Sequence, residues 1–167
     1  AKAAGKAMEC DKALPEAHAL LASLRAMDFD WKGAEQEFQR ALEFPKSEEV
    51  RIYYCHHYLI PMRRIDESID VWKEALDLNP LSPFLQWGLG YLYYIVREWD
   101  RVIEQCRIAL EIDPHSYLAY QYLGFTYLQT GKLEEGMQAC EMAAQYVGRS
   151  PWAFAFRAIA HARAGRV

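Results

Sequence analysis

Five alanines stand on one ruler. Ala7, Ala41, Ala75, Ala109 and Ala143 follow one another at intervals of 34 residues with no gap. Three more columns keep the same period: Ala22, His56, Gly90, Gly124 and Ala158; Leu21, Cys55, Leu89, Leu123 and Arg157; Trp31, Ile65, Trp99 and Leu133. Pro80 and Pro114 share it as well. A repeat of this length is one supersecondary unit that cannot bury its apolar face alone, so neighbouring copies must stack.

Each period reads as two helices, and strand signals are absent. In the third, Ser82 is an N-cap and Pro83 occupies the first turn. Helix A then runs to about Arg97, and helix B from about Trp99 to Ile112, where Asp113-Pro114 stops it. Ser150-Pro151 repeats the start signal, and Ser47-Glu48-Glu49 places a cap and two acids at a positive helix end. The small columns let antiparallel helices approach: Gly90 or Gly124 on helix A meets the stripe of Ala109 or Ala143 on helix B, while Trp99, Tyr93 and Phe38 fill the surroundings. His56 occupies the small column of the second repeat, which predicts that this helix pair is spread or tilted.

The stretch "IYYCHHY" (52–58) looks like chemistry but falls on structural columns. Cys55 sits in the leucine column and His56 in the small one. His57 diverges from His56 by about 100° around a helix, so the two cannot chelate one ion together. Histidines at 18, 56, 57, 115 and 161 lack chelating spacing, Gly88-Leu89-Gly90 is a bare GxG inside a helix, and no phosphate-loop, zinc-protease or nucleophile-elbow motif occurs. Glu134 and Glu135 read as a solvated surface. The chain is therefore expected to be no enzyme and to carry no metal or cofactor.

Bulk properties agree. The 167 residues are 52% hydrophobic and 14% aromatic, enough to bury a core. Nineteen basic against 23 acidic residues give a net charge of −4, which argues against a nucleic-acid partner. No run approaches the roughly 20 apolar residues of a membrane span, and the first residues lack the apolar core of a signal peptide. The single Asn, Asn79, precedes Pro80 and is no glycosylation acceptor. The four cysteines, Cys10, Cys55, Cys106 and Cys140, form no CxxC pair and read as free thiols of a cytoplasmic protein. Cys106 and Cys140 fall on equivalent points of neighbouring B helices, about 8–10 Å apart, beyond disulfide reach.

The segments "WGLGYLYYIVREWDRVIEQCRIALEIDP" and "YQYLGFTYLQTGKLEEGMQACEMAAQY" resemble tetratricopeptide repeats. Leu89-Gly90-x-x-Tyr93, Leu123-Gly124-x-x-Tyr127 and Ala34-x₃-Phe38 match that family's pattern. Arg25 replaces the tyrosine in the first repeat, and Cys55-His56 replaces Leu-Gly in the second. The resemblance covers the whole chain: full repeats at 15–48, 49–82, 83–116 and 117–150, a helix B without its helix A at 1–14, and a helix A without its helix B at 151–167, where Gly165-Arg166 matches the turn at Gly131-Lys132. It implies an all-α, right-handed superhelix of about ten helices in antiparallel pairs, with A helices on the concave side. It also implies a fragment of a longer protein, and the wording is similar to repeat arrays of multidomain bacterial signalling and regulatory proteins.

On helix A of the third repeat, Gln86, Leu89, Gly90 and Tyr93 share one face. Phe84, Trp87, Tyr91 and Tyr94 share another, and this second face is the expected concave one. Its counterparts are Val50, Tyr53, His57 and Ile60 in the second repeat and Leu118, Gln121, Phe125 and Leu128 in the fourth, flanked by Tyr54, Tyr122, Trp152 and Phe156. The first repeat is bland, with Glu16, Ala19, Ser23 and Ala26. Two roles stay open for these aromatics: packing neighbouring A helices, or binding a partner, for which Tyr and Trp are well suited. The family's lysine and asparagine clamp for peptide carboxylates is missing. The reading is a protein-interaction scaffold taking a mostly apolar or aromatic peptide segment. The alternatives are self-association, as a homodimer through the array ends or the groove, and a small apolar ligand or lipid.

Overall fold

The computed structural model describes residues 14–44, 47–163 and 165. The half-repeat expected at 1–14 and the thiol of Cys10 fall almost wholly outside the described residues. The chain divides between Asn79 and Pro80 into two compact units. The first holds α1 (Pro15–Met27), α2 (Trp31–Leu42), α3 (Glu48–Tyr54) and α4 (Ile65–Leu78). The second holds α5 (Pro83–Ile95), α6 (Trp99–Ile112), α7 (Tyr117–Gln129), α8 (Leu133–Tyr146) and α9 (Pro151–Arg163).

Helix starts follow the caps. The Val50 N–H donates to Ser47 Oγ, Leu85 N–H to Ser82 Oγ and Ala119 N–H to Ser116 Oγ, each at 3.3–3.4 Å. Helix A ends follow a second rule. Phe29, Arg63, Arg97, Gly131 and Gly165 all take a left-handed φ, between 61° and 81°, and they lie 34 residues apart. The next N–H reaches back to a carbonyl of the last turn: Asp30 to Arg25, Arg64 to Leu59, Glu98 to Tyr93 and Lys132 to Tyr127, all at 2.9–3.0 Å. This is the Schellman closure, which satisfies carbonyls that the helix end would orphan. It explains why α5 stops at Ile95 rather than Arg97.

Pairs are antiparallel, as contacts along α7 and α8 show. A Cβ at Gly124 would sit 2.8 Å from Cys140 Sγ, while one at Gly136, nearer the turn, would meet Leu128. In the first unit, His18 Nδ1 and Glu37 Oε2 approach to 2.7 Å in a buried pair across α1 and α2. Arg51 donates from Nε and Nη2 to Glu74 across α3 and α4. In the second unit α6 also touches α7, α9 packs on α8, and α5, α7 and α9 touch in series. Leu128, Cys140, Ala143, Ala153 and Phe156 form a core where α7, α8 and α9 meet.

The second repeat departs from the ruler. Arg63 lies 16 positions after Ser47, whereas Arg97, Gly131 and Gly165 lie 15 after Ser82, Ser116 and Ser150. Helix α3 absorbs the extra residue in a π-helical turn, Cys55–Leu59, with Ile60 N–H donating to Cys55 O at 2.9 Å. His56 lies within this turn, with its imidazole edge-on to Trp72 at 5.1 Å.

Ahead of this turn the columns slip by one. Val50, Arg51 and Tyr54 are 1%, 8% and 2% exposed, and they match Leu85, Gln86 and Leu89 at 0%, 7% and 4%. Tyr54, expected beside the concave stripe, is therefore a core residue, with its ring 5.2 Å from Phe38 and 5.7 Å from Tyr58.

Candidate partner-binding surface

In the second unit the A helices carry an unbroken ladder of rings. Phe84 meets Trp87 on α5 at 5.5 Å. Trp87 lies parallel to Tyr122 of α7 at 5.9 Å, and Tyr91 and Tyr94 close on the same phenol at 5.3 and 5.5 Å. The ladder continues from Tyr122 to Phe125 at 6.4 Å, from Phe125 to Phe156 of α9 at 6.2 Å, and from Phe156 to Trp152 at 6.4 Å. The spacing follows from helices that present i, i+3, i+4 and i+7 on one face.

The ladder grades from core to surface. Trp87 and Phe156 are buried, Tyr91, Tyr94, Gln121, Tyr122 and Phe125 are half-buried, and Phe84 and Trp152 are exposed. Phe156 belongs to the core of its unit. Its role is to support Phe125 and Trp152.

Where the rings open, a cleft of about 530 Å3 lies between Tyr91, Tyr94, Ile95, Arg97, Trp99, Tyr122, Phe125 and Gln129. A smaller one of about 180 Å3 continues along Tyr94, Phe125, Leu128, Gln129, Ile159 and Arg163. Tyr94, Phe125 and Gln129 wall both, so the two form one groove running along α5, α7 and α9. Burial pushes the Tyr122 phenol up to about 12, and the neighbouring Tyr91, Tyr94 and Cys106 add to the shift. It stays a neutral donor at physiological pH.

Ile95, Trp99, Gln129, Arg97, Ile159 and Arg163 did not emerge from the sequence. The signal was present, because Ile95, Gln129 and Arg163 stand 34 apart, one turn beyond Tyr91, Phe125 and Ile159. The expected face stopped one turn short of the floor, which the helix ends and the following turn complete.

In the first unit Tyr53 and His57 lie at 5.7 Å on one face of α3 and its wide turn. Burial holds the His57 imidazole below its ordinary pKa, and His56 is lowered first by burial and then by His57. Cys55, Cys106 and Cys140 are free and buried. Burial raises the first two thiols to about 12 and the third to about 11, which leaves them without thiolate character. Among the described residues no three His, Cys, Asp or Glu side chains gather to hold a metal ion, and no helix is long and apolar enough to cross a membrane.

Residues 106–138 match the sequence model described as a tetratricopeptide repeat. No curated protein sequence matches the chain. Among solved structures, the chain is similar to PilF of Pseudomonas aeruginosa, with 19% identity, 98% of this chain and 74% of that one covered, and a TM-score of 0.79. It is similar to MamA at 22% identity, with 87% and 85% covered and a TM-score of 0.70. It is also similar to YrrB, described as a TPR protein with an unusual peptide-binding site, at 18% identity, with 91% and 78% covered and a TM-score of 0.70. The chain thus has the tetratricopeptide-repeat fold and carries a tetratricopeptide repeat at residues 106–138.

Proposed function

We propose that this chain is a non-enzymatic protein-interaction scaffold, and that the groove along α5, α7 and α9 binds a mostly apolar or aromatic peptide segment of a partner. The observation that carries this reading is the continuous ring ladder bordering a cleft of about 530 Å3. Rings needed only to pack helices would be covered. Here Tyr91, Tyr94, Tyr122 and Phe125 are only half-buried and line the cleft, which suits side chains with large area and little entropy to lose. The peptide-binding site named for YrrB gives a precedent on the same fold. In sequence the same 34-residue register runs through both units, which supports reading residues 1–167 as one array, with Tyr53 and His57 of the first unit as further contact candidates.

The test is a peptide-display selection against the chain, followed by calorimetry of the enriched peptides on the wild type and on Tyr91→Ala/Tyr94→Ala. Enriched peptides rich in aromatic and aliphatic residues, with affinity lowered at least tenfold in a variant of unchanged helicity, support the groove. Equal affinity for both proteins removes it.

Self-association is the second reading. It is favoured by α9, where Trp152, Phe154 and Ile159 are 64%, 75% and 41% exposed, a large apolar surface for one helix. Light scattering across a concentration series would show mass rising with concentration, and Phe154→Ser would abolish the rise.

A further inference from the structure

We infer that the segment bound in the α5, α7 and α9 groove is acidic as well as aromatic, with carboxylates of the partner meeting Arg97 and Arg163. This rests on the groove reading and adds the chemical class of the ligand.

Charge in the second unit is sorted by helix. No aspartate or glutamate occurs in α5, α7 or α9, whereas every acid from residue 80 onward lies on α6, α8 or the turns. Among the described residues, the only charged side chains lining either part of the groove are Arg97 and Arg163. That bias runs against a chain of net charge −4.

The two arginines are also available. Arg101 is held by Glu98 at 2.7 Å and Arg157 by Glu141 at 2.6 Å, but neither Arg97 nor Arg163 has an ion pair among the described residues. Both arginines are exposed at the edge of half-buried rings, and the fork of a guanidinium matches a planar carboxylate.

A library of nine-residue peptides with fixed aromatic and leucine anchors, and Glu, Gln or Lys at the remaining positions, tests this. Wild type is expected to enrich Glu, with the best peptide binding about three- to tenfold tighter than its Gln counterpart and losing that advantage in high salt. The R97E/R163E protein, checked for unchanged melting temperature, should enrich Lys instead. R97Q/R163Q should bind the Glu and Gln peptides alike. Aromatic peptides bound with no charge preference, or an R97E/R163E protein that still prefers Glu, would overturn the inference while leaving the groove intact. If no anchored peptide binds wild type, or a single-stranded oligothymidine probe occupies the groove instead, the groove reading and the inference fall together.

Discussion

The Trp87 indole lies parallel to the Tyr122 phenol, 5.9 Å away and inclined by 7°. This stack joins α5 to α7, and three further rings close on Tyr122. Removing the ring should cost about 2–4 kcal/mol, from lost burial and ring contacts together, so Tyr122→Ala should melt well below wild type. Tyr122→Phe keeps the ring and should melt within about 0.5 kcal/mol of wild type. Because burial raises the phenol to about 12, and Tyr54 is raised further still, ultraviolet titration should show one fewer tyrosine still protonated near pH 11 in Tyr122→Phe than in wild type. A melting loss as large in Phe as in Ala would mean that the hydroxyl, not the stack, holds the helices.

The left-handed column makes two opposite predictions at equivalent positions. Gly131 has open space around its α-carbon, so Gly131→Ala meets only the backbone penalty and should lose about 1 kcal/mol. Arg63 already bears that penalty at φ 61°. Arg63→Gly should gain about 0.5 kcal/mol after the entropy of the freer unfolded chain is subtracted. Chemical denaturation of both variants checks the pair, and changes of the same sign would contradict the shared turn geometry.

Much of this was legible in the sequence because repeats amplify weak signals. The boundaries Trp99 and Ile112 of α6, the serine caps and the small column at Gly90 and Gly124 are each read several times over on one ruler. The ruler failed where the spacing itself changed. One extra residue between Ser47 and Arg63 moved Tyr54 from the flank of the stripe into the core, and only the cap-to-turn distance, not the alanine column, could have shown it. The cleft floor was missed for another reason. Arg97 and Trp99 belong to a turn and to the start of a B helix, so no single helical face contains them.

The small column predicts a contrast between its two glycines. A Cβ at Gly124 would lie 2.8 Å from Cys140 Sγ and 3.0 Å from the Cys140 backbone N, whereas at Gly90 the nearest atom is Cys106 Sγ at 3.3 Å. Overpacking costs about 1–3 kcal/mol against the roughly 1 kcal/mol that alanine gains over glycine in a helix. Gly124→Ala should therefore destabilise the protein, and Gly90→Ala should be close to neutral. Thermal unfolding of both settles the ordering, and equal melting temperatures would refute it.

The half-buried histidines His56 and His57 give the fold a defined acid sensitivity. In the unfolded chain His56 and His57 take up protons near pH 6.5, but burial lowers both in the folded state. Stability is thus fully present above the unfolded value and is lost as pH falls through the depressed folded values. Melting temperature should decline between about pH 7 and pH 5, and H56Q/H57Q should show a shallower decline. Parallel curves for the two proteins would mean that other groups carry the effect.

The groove is tested most directly through the protein's own tryptophans, of which there are five. Trp99 lines the cleft and Trp87 stands in the ladder beside it, while Trp72 is 1% exposed in the core of the first unit. Fluorine NMR of 5-fluorotryptophan-labelled protein, titrated with the best peptide from the display selection, reports on each at once. The account predicts saturable shifts at Trp99 and Trp87 and an unchanged Trp72 resonance. A peptide that binds tightly yet leaves Trp99 and Trp87 unmoved would contradict it.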